Sequence, residues 1–143
     1  FYNLNTTGAV LSPFDSYQLI RGLKTLSLRM ERSTANAQEI VDFLEQSSAV
    51  KEVLYTGRGG MISFKVADET RIPHILNSLK VFSFAESLGG VESLITYPTT
   101  QTHADIPAEV RHSYGLTDDL LRLSIGIEDA RDLIEDLRQA LEG

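Results

Sequence analysis

The chain of 143 residues contains no cysteine. Disulfides, thiolate nucleophiles and cysteine-based zinc sites are therefore excluded. No apolar run approaches the roughly 18 residues that a bilayer-spanning helix needs. Positive charge is scarce: 13 Lys and Arg stand against 20 Asp and Glu, for a net charge of -7. That balance argues against a nucleic acid or an anionic membrane as partner. The three histidines, His74, His103 and His112, are far apart and show no metal-ligand spacing. The opening Phe1-Tyr2-Asn3-Leu4 has neither an initiator Met nor the basic-then-apolar pattern of a signal peptide. The expectation is a cytoplasmic chain that starts as if cut from something longer. What remains is 42% hydrophobic and 23% charged, the balance of one ordinary globular domain.

Along the chain, Ser12-Pro13-Phe14-Asp15 reads as a helix start, with Ser12 as N-cap and Pro13 at the first helical position. This helix runs to about Thr25, with Gly22 as a place to bend. Leu26 to about Gln46 is a second helix or a continuation, with Ala37, Ile40, Val41 and Leu44 on one face. Val50–Tyr55 reads as a strand and Gly57–Gly60 as a turn. Met61–Val66 alternates, with Ile62, Phe64 and Val66 facing in. Asp68 can cap a helix with the stripe Ile72, Ile75, Leu76 and Leu79. Short strands are expected near 82–85 and 94–97, a polar loop over 99–105, and a short helix from Pro107 to near Gly115. The last strand spans Leu120–Ile127. The last helix spans Asp129–Leu141, with Leu133, Ile134, Leu137 and Leu141 facing in and Asp132, Glu135 and Asp136 on its solvated face. The expected fold is α+β, a small and mostly antiparallel sheet covered on one face by helices.

Two stretches can carry chemistry. In Leu120–Ile127, alternation puts Leu121, Leu123, Ile125 and Ile127 on one face and Arg122 with Ser124 and Gly126 on the other. An arginine among such small neighbours has room to grip a carboxylate through two parallel hydrogen bonds. The plainer alternative is a strand arginine paired with a local Asp or Glu. The second stretch, Glu86-Ser87-Leu88-Gly89-Gly90, is a turn whose glycines let backbone approach a ligand closely. Ser87 can hold a ligand there or stabilise the turn, and Glu86 can serve the same site or be a solvated carboxylate. Gly57-Arg58-Gly59-Gly60 lacks the Lys-Ser/Thr of a phosphate-binding loop and reads as a hairpin turn.

Arg122-Leu123-Ser124-x-Gly126-x-Glu128, Glu86–Gly90, Ser12–Tyr17, Arg21–Leu26 and Thr102-His103-Ala104 together resemble the trans-sulfuration enzymes. These are the pyridoxal-phosphate (PLP)-dependent cystathionine synthases and lyases. The resemblance covers nearly the whole chain and matches the C-terminal domain of fold-type I PLP-dependent transferases. It implies that Arg122 binds the α-carboxylate of an amino-acid substrate. Ser87 then helps hold substrate or the Schiff-base lysine. Glu86 stands at the substrate mouth, as in γ-synthases and γ-lyases, and Thr102 lines the pocket. Gln101 departs from the family's usual Met before Thr-His. The family's cofactor lysine lies in an S-x-[ST]-K-x-x-x-G-H setting that Lys24, Lys51, Lys65 and Lys80 all lack.

The resemblance therefore implies that residues 1–143 are a single small domain with a helical linker over about 12–46. The PLP domain would lie upstream on the same polypeptide. The implied parent is a cytoplasmic homotetramer performing γ-replacement on an acyl-homoserine, in methionine and cysteine metabolism. PLP is expected in the parent, none on this chain, and no catalytic residue here. A cystathionine β- or γ-lyase is the close alternative, and a non-catalytic amino-acid-binding module is the alternative of another class.

Overall fold

A computed structural model describes residues 2–143; Phe1 lies outside the described residues. Six helices and five strands follow in the order α1 (Tyr2–Thr7), α2 (Pro13–Leu23), α3 (Leu26–Gln46), β1 (Val50–Tyr55), β2 (Met61–Val66), α4 (Ile72–Ser78), β3 (Ser83–Phe84), β4 (Leu94–Thr96), α5 (Ala108–Ser113), β5 (Leu120–Ser124) and α6 (Ala130–Glu142). A 3-10 turn, Glu69–Arg71, leads into α4, and Asp68 caps it by accepting from the Thr70 amide. No described helix is long and apolar enough to cross a membrane.

The five strands form one sheet in the order β1-β2-β5-β4-β3. Pairing is antiparallel except between β3 and β4, which run parallel. Period-2 alternation sends Ile62, Phe64 and Val66 of β2, and Leu121 and Leu123 of β5, into the core. Ala37, Ile40 and Leu44 of α3, Ile72 and Ile75 of α4, and Leu133, Leu137 and Leu141 of α6 pack against that face. Each of the larger side chains, Ala37 aside, contributes roughly 1.5–3 kcal/mol by leaving water. The opposite face carries Ser63 of β2, Arg122 of β5 and Thr96 of β4 side by side in register. The expected α+β layer, with helices on one sheet face, is what forms.

Two details depart from the sequence reading. The last strand stops at Ser124, not Ile127. Beyond it the backbone leaves the ladder for other partners: Gly126 N–H donates to Ser93 Oγ at 2.9 Å, and Ile127 N–H to the Val91 carbonyl at 2.9 Å. Ile127 is consequently exposed instead of facing the core.

Asp136 is not on a solvated face. It is 5% exposed, and its carboxylate accepts from the backbone amides of Lys80, Val81 and Phe82 at 2.8, 2.8 and 3.0 Å. The helical step from Leu133 to Asp136 puts both on the inward side of α6. Asp132 and Glu135 are exposed as expected. Of the two alternatives for Leu26–Gln46, a second helix or a continuation, the second helix forms: α2 and α3 are separate. The break falls at Lys24–Thr25, where the Gly22 carbonyl accepts from the Arg29 guanidinium at 2.9 Å.

The α2 helix buries nothing. Phe14 is 68% exposed and Leu23 64%, with Tyr17, Leu19 and Ile20 also open. Exposed apolar side chains gathered on one helix are of the kind found at contact surfaces.

Candidate functional site

Arg122 sits at the centre of β5, with Ser63 opposite it on β2 and Thr96 opposite it on β4. It is half-buried, and its Nη2 donates to Thr96 Oγ1 at 3.3 Å. Among the described residues, no carboxylate oxygen lies within 4.0 Å of its guanidinium. The local ion pair that would have made it an ordinary strand arginine does not form. A guanidinium with most of its donors unused among the described residues can accommodate an anion, and a carboxylate matches its fork.

The Glu86–Gly90 turn arrives beside this arginine because β3 and β4 are parallel. The chain leaves β3, crosses through residues 85–93 and re-enters at β4. A parallel connection usually needs a dozen or more residues. This shorter one is held down by side chains of β4, of β5 and of the segment after it. The Ala85 amide donates to the Ile95 carbonyl at 3.1 Å, and the Ala85 carbonyl accepts from Thr96 Oγ1 at 2.8 Å. The Gly89 amide donates to Ser124 Oγ at 2.9 Å. Glu128 takes the far end: its Oε1 accepts from the Ser93 amide at 2.6 Å and its Oε2 from Ser93 Oγ at 2.9 Å.

Gly126 is needed where it stands. A Cβ there would lie 2.1 Å from the Val91 carbonyl oxygen and 2.6 Å from Glu128 Oε2. Helix α3 braces the same corner. Asn36 Nδ2 donates to the Gly126 and Glu128 carbonyls at 3.2 and 2.9 Å, and Arg32 Nη2 to the Glu128 carbonyl at 3.2 Å. The Arg-Leu-Ser-x-Gly-x-Glu string is thus one arginine followed by three devices that fasten a loop.

Glu86 and Ser87 are exposed on that loop, and neither side chain makes a hydrogen bond among the described residues. The structure brings them to the Arg122 side through Ala85 and Gly89. Thr102 is not joined to the cluster by any described hydrogen bond. It is exposed in the turn after β4, where its hydroxyl shares a hydrogen bond with His103 Nδ1 at 2.7 Å. Gln101 closes that turn: Oε1 accepts from the Tyr97 amide at 3.0 Å. No group of three or more potential metal ligands occurs among the described residues.

Sequence reasoning missed Thr96, Ser93 and Asn36. A signal existed for two of them. Asn36 falls in the 3.6-residue stripe of Ala37, Ile40 and Leu44, and Thr96 ends an apolar strand; polar groups in such places are buried for a partner.

The family described as Cys/Met metabolism PLP-dependent enzyme matches residues 1–142. The chain belongs to this family. It is 57% identical over 141 residues to the cystathionine γ-synthase/O-acetylhomoserine (thiol)-lyase of Bacillus subtilis (strain 168), covering 99% of this chain and 38% of that protein. It is 48% identical over 154 residues to the cystathionine β-lyase of Lactococcus lactis subsp. cremoris (strain MG1363), covering 96% and 40%. The fold matches a crystal structure of cystathionine γ-lyase from Micromonospora echinospora with a TM-score of 0.94 at 36% identity, covering 99% of this chain and 42% of that one. The chain spans about two-fifths of the length of these Cys/Met metabolism relatives.

The residues present do not fit the family's cofactor. A lysine that joins PLP must be able to lose its proton, which burial or nearby positive charge brings about. Lys65 shares the sheet face of Arg122, but its Nζ pairs with Glu52 Oε2 at 2.7 Å. The hydrogen bond from Glu52 raises its pKa and holds it protonated. Lys51 pairs with Asp119 at 3.2 Å, and Lys24 and Lys80 are exposed.

Proposed function

We propose that this chain is the C-terminal, substrate-carboxylate domain of a cystathionine γ-synthase-like enzyme. In that reading Arg122 grips the α-carboxylate of the amino-acid substrate. The 85–93 loop presents Ser87 to the same end of the substrate and Glu86 to its side chain. PLP, held by an upstream domain, supplies the electron sink for replacement or elimination at the γ carbon. The work of this domain is binding and orientation.

The observation that carries the reading is the half-buried Arg122 guanidinium, which has a hydroxyl neighbour and no carboxylate partner among the described residues. A cation withdrawn from water without an acid costs several kcal/mol unless a ligand completes it. The identity to a γ-synthase/thiol-lyase and the presence of Glu86 favour γ chemistry. The similarity to a β-lyase keeps the lyases as the second reading. The exposed apolar face of α2 favours a domain that docks on another over a free-standing binding module. The upstream PLP domain is the proposed occupant of that face, and a cytoplasmic homotetramer belongs to the same reading.

The test is made on the full-length enzyme. Arg122→Ala should lower kcat/KM for a homoserine ester and for cystathionine by roughly 30- to 1000-fold, the scale of a lost charge-assisted pair. Arg122→Lys should recover only part, because an ammonium cannot make the two-pronged contact. Cofactor absorbance should persist in both. Near-normal kcat/KM for both substrates in the alanine variant would make Arg122 a structural residue.

A further inference from the structure

Two hydroxyls flank Arg122 on its own sheet face, Thr96 directly across on β4 and Ser124 two residues on along β5. Both are buried; Thr96 is 1% exposed. Each anchors one side of the Glu86–Leu88 segment, Thr96 at Ala85 before it and Ser124 at Gly89 after it. Thr96 Oγ1 donates to the Ala85 carbonyl at 2.8 Å, and Ser124 Oγ accepts from the Gly89 amide at 2.9 Å. Thr96 has a second duty, since its oxygen accepts from Arg122 Nη2 at 3.3 Å. A hydroxyl has one proton to give and lone pairs to receive, and Thr96 uses both capacities here. The same oxygen therefore touches the guanidinium and holds the strand that leads directly into Glu86.

We propose that Thr96 and Ser124 are positioning residues that register the Glu86–Ser87 loop against the Arg122 guanidinium, so that the carboxylate site is assembled before substrate arrives. The proposal rests on the reading of Arg122 as carboxylate ligand. The physical argument is one of orientation. A long arginine side chain carries much rotamer freedom, and ordering it on binding would cost affinity. One hydrogen bond to a buried, rigid β-branched hydroxyl limits that freedom in advance. The loop needs the same help. Glu86, Ser87 and Leu88 are exposed, and neither polar side chain among them has a partner of its own. They are fixed only through the residues on either side. Thr96 on β4 sets the first of those points and Ser124 on β5 the second, Ser124 standing two residues beyond Arg122, the pairing partner of Thr96. Arg122 and Ser124 lie in the same row, so the loop cannot shift along the sheet without breaking one anchor.

The carbonyl and amide held here also explain why hydroxyls are used. Ala85 presents an acceptor and Gly89 a donor. Thr96 and Ser124 can satisfy either, whereas a carboxylate at position 96 would meet the Ala85 carbonyl with like charge. A carboxylate would also neutralise the arginine that is to receive the substrate.

The experiment uses the full-length enzyme and a homoserine ester as substrate. Thr96→Val keeps the branched shape and removes the hydroxyl. It should raise KM about 5- to 15-fold, the scale of one lost ordinary hydrogen bond, and change kcat by less than about twofold. Cofactor absorbance should be unchanged, and Thr96→Ser should restore most of the loss. Ser124→Ala should shift KM in the same direction. In the Arg122→Ala background, Thr96→Val should add little, because its partner is gone.

An unaltered KM in Thr96→Val beside a raised KM in Arg122→Ala would overturn this inference and leave the carboxylate reading standing. A normal KM in Arg122→Ala would defeat that reading itself. Full additivity of the two substitutions would overturn the inference, since Thr96 would then act apart from Arg122. Loss of the cofactor band in Thr96→Val would overturn it too, because positioning confines the change to substrate capture.

Discussion

A carboxylate that accepts three consecutive backbone amides is doing the work of a missing strand. Asp136 takes the amides of Lys80, Val81 and Phe82, which have left α4 and have not yet entered β3. Gln139 Nε2 closes the same corner by donating to the Ser78 carbonyl at 2.8 Å and to Asp136 Oδ1 at 3.2 Å. Asp136→Asn turns one acceptor oxygen into a donor aimed at an amide. It should cost about 2–3 kcal/mol of stability, read as a lower urea midpoint at unchanged slope. An unchanged midpoint would mean that water replaces these bonds. At this scale the sequence was partly legible. Arg122 stood out because a guanidinium in an apolar strand demands an explanation. Asp136 did not, because an acidic residue on a helix suggests solvent even where the helical spacing from Leu133 turns it inward. Thr96 was hidden because one threonine in a strand is unremarked until its neighbours are known.

The elements divide by how much their own residues determine them. Strands β1 and β2 fall at their expected bounds, and Ile62, Phe64 and Val66 alternate into the core as the period requires. Helices α3 and α6 follow their apolar stripes. Strands β3 and β4 are two and three residues long; Thr96 of β4 ties down the Ala85 carbonyl, and Ser124 and Glu128 hold the connection from outside. No local pattern announces a parallel pair joined by so short a crossing. The six-residue α1 likewise has no apolar period and was not anticipated.

The corner after β5 is where this outside support is tightest, and Gly126 is its narrowest point. Gly126→Ala would press a methyl group against the Val91 carbonyl, 2.1 Å from its ideal position. Backbone oxygen cannot swing aside as a long side chain can. The substitution should cost roughly 2–3 kcal/mol and speed amide exchange across residues 85–93 more than in β1 and β2. Uniform exchange across both regions would place the strain elsewhere.

For the whole molecule, acid is the condition that probes the charge layout. Asp68, Asp119 and Asp129 all have folded pKa values below the ordinary carboxylate range. Thr70 hydrogen bonds lower Asp68. Burial works to raise Asp119, but hydrogen bonds from Thr117 and Lys51 outweigh it. The Arg131 guanidinium and amide pull Asp129 down furthest. A depressed folded pKa means that the unfolded chain binds protons first. The stabilisation is complete above the unfolded value of about 3.9 and is lost as pH falls through the folded values. The thermal midpoint should thus hold level from about pH 7 to about pH 5 and drop below about pH 4. Asp119→Asn should make that drop shallower; an acid limb of the same steepness would remove Asp119 from the account.

At this same scale the sequence conveyed the layer architecture and the family resemblance, because both rest on many residues at once. It could not convey the open face of α2, where Phe14 and Leu23 lie bare. Exposure is a property of the assembled fold.

The central claim is that Arg122 recognises the substrate's α-carboxylate. It is tested most directly on the full-length enzyme by comparing kcat/KM for a homoserine ester with a free α-carboxylate and for the same ester as its α-carboxamide. The native enzyme should prefer the carboxylate by roughly 30- to 1000-fold, the range of a charge-assisted pair. Arg122→Ala should bring that preference close to unity. A native-sized preference retained in Arg122→Ala would show that another group reads the carboxylate, and the account would fail.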